Sequence, residues 1–224
     1  MEINLKKPSQ EYWITVVPER KDVLQDFTVI DGKLYLTYLH DVSSEIKVFE
    51  LDGTEVGEIP IPPYSVATIQ GAGTRQALLT VESLIQPRNT YILDLDARTK
   101  EIWKSSDIPF KTDDFTVKQV RYESKDGTTI PMYVAHSKGL ELSGDTPTIL
   151  TGYGGFNAAR IPRFDTMASI WMEHGGVFAL ANLRGGSEYG EQWHRDGMLE
   201  NKQNVFDDFI AAGDWLVENN YTNP

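Results

Sequence analysis

The chain has 224 residues, no cysteine and a formal net charge of −12. Without cysteine it has no disulfide scaffold, no thiolate nucleophile and no cysteine-ligated metal. Its acidity argues against nucleic acid and anionic membrane surfaces as partners, because both require clustered Lys and Arg.

Hydrophobic residues make up 40% of the chain, with five Trp, ten Tyr and nine Phe, enough for a substantial core. No apolar run approaches membrane-spanning length. Met1–Lys7 lacks the apolar centre of a signal peptide. The expected compartment is therefore the cytoplasm. A periplasmic location stays open, because the chain enters its first repeat partway and Met1 is expected to be an internal start.

Residues 1–110 read as a succession of short β-strands. Tyr12–Val17 is β-rich and stops at Pro18. Phe27–Ile30, Lys33–Tyr38 and Ile46–Phe49 follow, with turns at Asp31-Gly32 and Ser43-Ser44, and Val56–Ile61 precedes Pro62-Pro63. The pattern then restarts with Val66–Ile69, Ala77–Val81, Thr90–Leu93 and Glu101–Trp103. Evenly spaced strands separated by turn signals indicate an all-β unit. Val48–Gly53 and Ile92–Ala97 also share a pattern at an offset of 44 residues. A four-strand repeat of that period fits a propeller blade, so this part would supply about two blades of an incomplete ring. A β-sandwich is the competing reading. The single acid–base candidate in this half is His40 beside Asp41, a pairing expected to be simply solvated.

Residues 111–224 follow a different grammar, with Pro109–Asp114 as the expected linker. Val117–Tyr122 and Ile130–Ala135 form strands joined through Asp126-Gly127, a hairpin signal. Thr148–Thr151 reads as a short buried strand running into the glycine-rich loop Gly152-Tyr153-Gly154-Gly155-Phe156-Asn157. Phe164, Met167, Ala168 and Trp171 recur at helical spacing, and Gly175-Gly176 marks the stop. Val177–Ala181 is a continuous apolar run suited to a buried parallel strand. It leads into a second glycine loop, Arg184–Gly190. A last helix is expected from about residue 203, capped by Asn204, with Phe206, Phe209, Ile210, Gly213, Leu216 and Val217 on its apolar face. Strand–helix alternation implies a mostly parallel α/β sheet with helices on both faces and chemistry at the strand C-termini, where both glycine loops fall.

Glycines flanking Tyr153 let the backbone turn sharply and hold the phenol outward, where it could donate to charge forming on a substrate oxygen. Ser187 lacks the glycine two places on that a nucleophile elbow G-x-S-x-G requires. Asp207 and Asp208 point about 100° apart on a helix and suit its positive end. His174 is expected near a helix end and His194 as a buried, hydrogen-bonded side chain. No histidine pair has ligand spacing, and there is neither a P-loop nor a dinucleotide fingerprint. No metal or cofactor is therefore expected.

Gly152–Asn157, Ala181–His194, Lys202–Phe209 and Ser124–Met132 together resemble the prolyl oligopeptidase family of serine peptidases. The resemblance is dense over 117–224 and weaker but collinear over the repeats. It implies a β-propeller followed by an α/β-hydrolase domain with a Ser-Asp-His triad that hydrolyses short proline-containing peptides. By motif position it implies Tyr153 as the oxyanion donor and Phe156 as a wall of the proline pocket. The family's G-x-S-x-G serine comes after the stretch matched by Lys202–Phe209, and its Asp and His later still. The chain therefore reads as a fragment without the triad, which would need the remainder of the hydrolase domain. Two rival readings are an oligopeptidase B-like enzyme cutting after basic residues and a non-catalytic binding or scaffold protein.

Overall fold

The computed structural model describes residues 1–97 and 99–224. Two four-stranded antiparallel meanders come first, β1 (Val23–Ile30) to β4 (Glu55–Ile59) and β5 (Ser65–Gly71) to β8 (Thr99–Ser105), each in sequential order. This is the topology of successive propeller blades, and it decides against the sandwich. The 44-residue repeat falls on the third strand of each meander, β3 (Ser43–Glu50) and β7 (Gln86–Asp94), and the turn that follows it. Ile30, Tyr35, Ile46, Val48, Ala67, Ile69, Leu79 and Val81 form one core between the two sheets.

Two expectations for this half need correction. Tyr12–Val17 is not a strand: Gln10–Tyr12 makes a single 3-10 turn and Ile14 forms only an isolated bridge with Glu2. The first meander already holds four mutually paired strands, so β propensity at 12–17 finds no ladder to join. The second turn is Asp41-Val42, and Ser43 and Ser44 lie within β3. Asp31 and Gly32 have φ of 48° and 76°, and Asp41 and Val42 have 43° and 63°. Positive φ at both central residues suits the right-handed twist of a tight hairpin.

The hairpin tip between β2 (Lys33–His40) and β3 reaches the third sheet. Val42, with no exposed surface, enters a core with Phe115, Tyr133, Ala168, Met172 and Leu180. The Asp41 carbonyl accepts from Gln119 Nε2 at 2.7 Å and from the Tyr133 hydroxyl at 3.2 Å. Its carboxylate accepts from Arg121 Nη2 at 2.8 Å and the Tyr189 hydroxyl at 3.2 Å. His40 is paired with Asp22 at 3.1 Å, rather than with its neighbour Asp41.

The third sheet has the order β11-β12-β10-β9, from β9 (Phe115–Glu123), β10 (Thr129–Ser137), β11 (Thr148–Gly152) and β12 (Val177–Ala181). Only β11 and β12 are parallel; β12–β10 and β10–β9 are antiparallel. The sheet is therefore mixed rather than mostly parallel. The β9–β10 hairpin fixes one antiparallel ladder, and one strand–helix–strand unit supplies the single parallel pair. Among the strands this chain supplies, β11 lies at the end of the sheet and is partly buried, with Ile149 exposed.

Helices cover both faces, as expected. α1 (Thr166–Glu173) packs with the outward set Tyr133, Ala135, Phe178 and Leu180. α2 (Glu191–Arg195) is a short helix that the sequence did not announce. α3 (Lys202–Glu218) packs with the alternate set Met132, Val134, Ala179 and Ala181. In α1 the buried residues are Ala168, Ser169 and Met172, while Met167 faces outward. α3 starts at Lys202, directly after a one-turn 3-10 segment, and Asn204 donates to the Asp196 carbonyl instead of capping the helix. Its buried face is Val205, Asp208, Ala212 and Leu216, whereas Phe206, Phe209, Ile210 and Val217 are exposed. Asp208 lies on the buried face and is paired there with Arg184. Among the described residues, no helix is long and apolar enough to cross a membrane.

Leu79 is fully buried between the two meanders. Leu79→Ala should destabilise the protein by about 2–5 kcal/mol, the range for truncating a buried leucine. Urea denaturation followed by tryptophan fluorescence would measure it.

Candidate active site

The parallel register pairs Gly152 with Ala181, so β11 and β12 end side by side and both glycine loops leave the same edge of the sheet. The loops pack backbone against backbone. A Cβ at Gly154 would collide with Val205 Cγ1 and lie 2.7 Å from the Arg184 carbonyl oxygen, and Gly154 itself has φ of 58°. A Cβ at Gly185 would lie 2.6 Å from the Gly154 carbonyl oxygen. Glycine is thus required twice, by close approach and by left-handed backbone.

Hydrogen bonds fix the first loop in this position. Asn157 N–H donates to the Gly185 carbonyl at 3.1 Å, and Ala158 N–H to the Gly155 carbonyl at 3.1 Å. Lys202, the first residue of α3, donates from Nζ to the Gly154 carbonyl at 2.7 Å. Phe156 and Asn157 both have left-handed backbone, with φ of 51° and 54°. Asparagine tolerates that region, but phenylalanine rarely enters it, and such residues tend to mark functional loops. The result is display of both aromatic side chains. Tyr153 is 50% exposed and Phe156 is 90% exposed. Among the described residues, none hydrogen-bonds the Tyr153 hydroxyl.

The second loop is anchored by Arg184, which is 3% exposed. Its guanidinium meets Asp208 through Nε–Oδ2 at 3.0 Å and Nη2–Oδ1 at 2.6 Å. Nη1 reaches Asp126 Oδ2 at 2.6 Å and Thr128 Oγ1 at 3.2 Å, and Nη2 also reaches Ser124 Oγ at 3.3 Å. The Arg184 N–H donates to Asp208 Oδ2 at 3.1 Å. One side chain thereby joins the second loop, the β9–β10 turn and α3. Burial works against the charge on Arg184, but the bonds to Asp208 and Asp126 outweigh it and hold its pKa above the ordinary value. The bond from Arg184 lowers the Asp126 carboxyl to about 2. Asp208, expected to serve only the helix dipole, is fully buried and paired.

The remaining candidates fall in place around this frame. His194 donates from Nδ1 to the Gly185 carbonyl at 2.7 Å; it is hydrogen-bonded as expected but only half-buried. His174 is the C-cap residue of α1, with its ring on the Ile170 carbonyl at 2.8 Å. Among the described residues, no serine hydroxyl, Ser187 included, is hydrogen-bonded to a histidine. Among them, too, no group of three His, Asp or Glu side chains could hold a metal ion. Arg184, Lys202 and Glu188 escaped sequence reasoning. Arg184 alone carried a local signal, a charge beside Gly185-Gly186, which composition does not separate from solvated charge.

Two successive meanders joined to a sheet whose glycine loops crowd one edge define a propeller leading into an α/β-hydrolase-type domain. Residues 1–106 match the prolyl oligopeptidase N-terminal beta-propeller domain and residues 162–224 match the prolyl oligopeptidase family. The chain is 37% identical over 221 residues to a prolyl endopeptidase of Elizabethkingia miricola, covering 98% of this chain and 31% of that protein. It is 36% identical over 214 residues to a prolyl endopeptidase of Dictyostelium discoideum, covering 93% and 28%. A solved prolyl endopeptidase superposes with a TM-score of 0.92 at 40% identity, over 99% of this chain and 33% of that one. Prolyl oligopeptidase B of Galerina marginata, solved with a 25mer macrocyclization substrate, gives 0.86 at 32% identity, over 93% and 30%. The chain belongs to the prolyl oligopeptidase family, and it spans about a third of the length of these relatives.

Removing one partner of a buried ion pair strands the other charge. Asp208→Ala should cost about 3–5 kcal/mol, read as a lowered midpoint in chemical denaturation. Because the folded Asp126 carboxyl lies below its unfolded value, its contribution is complete above about pH 4 and is lost as pH falls toward 2. An acid titration of stability should show this loss, and Asp126→Asn should flatten it.

Proposed function

We propose that this chain forms part of a serine endopeptidase that hydrolyses short peptides on the carboxyl side of proline. The observation that carries the reading is the display of Tyr153 and Phe156 by one rigid loop at the strand C-termini. The names of the relatives supply the substrate class. In this reading a serine from the part of the family-length enzyme that this chain does not span attacks the prolyl carbonyl. Negative charge then develops on the carbonyl oxygen.

Tyr153 donates its phenolic hydrogen to that oxygen. Among the described residues its hydroxyl is unengaged, and the adjoining Gly154 is fixed by Lys202 and Val205, so little reorganisation is needed as charge appears. Phe156 offers an apolar face to the flat proline ring, and its exposed position leaves that face free for a substrate. Arg184 and Asp208 act at one remove, by holding the second loop against which the first is seated.

In an enzyme of full family length carrying this sequence, Tyr153→Phe should lower kcat about 10²–10³-fold with little change in KM, as for loss of one oxyanion donor. Steady-state kinetics on a Pro-X peptide would measure it. Unchanged kcat would remove Tyr153 from the oxyanion role. Preferential cleavage of Arg-X over Pro-X peptides would overturn the assigned specificity, and absence of any peptidase activity would favour a binding protein.

A further inference from the structure

Between the displayed loop and α1 the chain passes through Arg160, and two buried polar side chains grip the main chain of that residue. Asn182 Nδ2 donates to the Arg160 carbonyl at 2.5 Å, and the Arg160 N–H donates to Glu188 Oε1 at 2.8 Å. The pair imitates the two-bond exchange between neighbouring β-strands. Asn182 is 0% exposed and Glu188 1%. Each also carries a buried oxygen without a partner, Asn182 Oδ1 and Glu188 Oε2, and the two side chains are brought together by their bonds to one residue's main chain. Two unsatisfied acceptors are costly in a buried setting. One proton removes both deficits: a neutral Glu188 donates from Oε2 and Asn182 accepts at Oδ1.

We propose that Glu188 is a positioning residue that works as a neutral carboxylic acid, donating to Asn182 Oδ1 and with it clamping the Arg160 main chain. The clamp fixes the exit of the loop that displays Tyr153 and Phe156. Ionisation breaks the Oε2–H bond, sets a charge against an acceptor oxygen and loosens that exit. Burial pushes the Glu188 carboxyl up to about 7, opposed by the N–H groups of Arg160 and Glu188, the charge of Arg160 and the Asn182 amide. The other charged groups on the packed segments are engaged elsewhere. Arg163 is paired with Glu82, Asp165 caps α1, and Arg184 is held by Asp208 and Asp126. Gly186 leaves the space in which the carboxyl folds back, since a Cβ there would overlap Oε2. With the folded pKa above the unfolded one, the clamp is fully formed below about pH 4 and is lost as pH rises through about 7.

Hydrogen exchange of the segment 156–165, corrected for intrinsic rates, tests this at pH 6 and pH 8. Wild-type protection should fall on the order of tenfold between the two, the scale of one buried hydrogen bond. Glu188→Gln supplies an amide donor to Asn182 Oδ1 without a titratable group, so it should keep the segment protected at both values. Wild-type protection that does not change with pH would overturn the proposal. So would Glu188→Gln exchange as fast as the wild type at pH 8. The kinetic consequence rests on the proposed peptidase function: kcat on a Pro-X peptide should fall as pH passes 7 in the wild type more than in Glu188→Gln, with KM nearly constant. If no Pro-X cleavage occurs, the functional reading fails while the exchange measurement still decides the clamp.

Discussion

The arginine–carboxylate pair between Arg184 and Asp208 is the interaction on which the rest of the site depends. It lies where β12 ends and α3 covers the sheet, and its two parallel bonds orient both groups. A guanidinium without such partners could not stay buried. Once it is there, the carbonyl of Arg184 becomes a wall against which Gly154 is seated. The position of Tyr153 is thus inherited from charge pairing on the opposite loop. The β9–β10 turn shares in this through Asp126, Ser124 and Thr128. Three segments distant in sequence converge on one side chain.

Much of this was legible from residue patterns, and the failures have physical causes. Strands β1 to β8 followed alternation and turn residues, because each needs only a neighbour in sequence to pair with. The glycine loops were evident for the same local reason. Long-range partners were not. The Asp207-Asp208 dipeptide looked like ordinary first-turn acid, and only the fold brings Arg184 to one member and not the other. The aromatic residues of α3 suggested the inward face, yet in this span of the chain Phe206, Phe209 and Ile210 are exposed while Asp208 is buried. Tyr12–Val17 had strand propensity without a ladder, so tertiary context settled what local preference left open.

The candidate residues divide in the same way. Tyr153 was visible as a tyrosine between glycines, because its display needs only backbone freedom. The resemblance added Phe156, whose left-handed backbone no local pattern announces. Lys202, Asn182 and Glu188 contribute through single hydrogen bonds to backbone groups far along the chain. Nothing in their neighbouring residues records that service. A buried glutamate within an otherwise loop-like sequence is a signal that only coordinates make readable.

The Asp41-Val42 turn shows two levels of structure asking for different residues. Its backbone geometry is one that glycine or asparagine adopts at least cost, and valine is among the worst choices for it. Its location asks for an apolar plug in the seam between the first meander and the third sheet, which valine supplies. The hairpin is therefore locally frustrated, and the contact between sheets is what keeps it so. Separating the two units would release that conflict along with the buried surface. Part of the cohesion between sheets is thereby offset by strain in the turn, and the seam is softer than its apolar lining suggests.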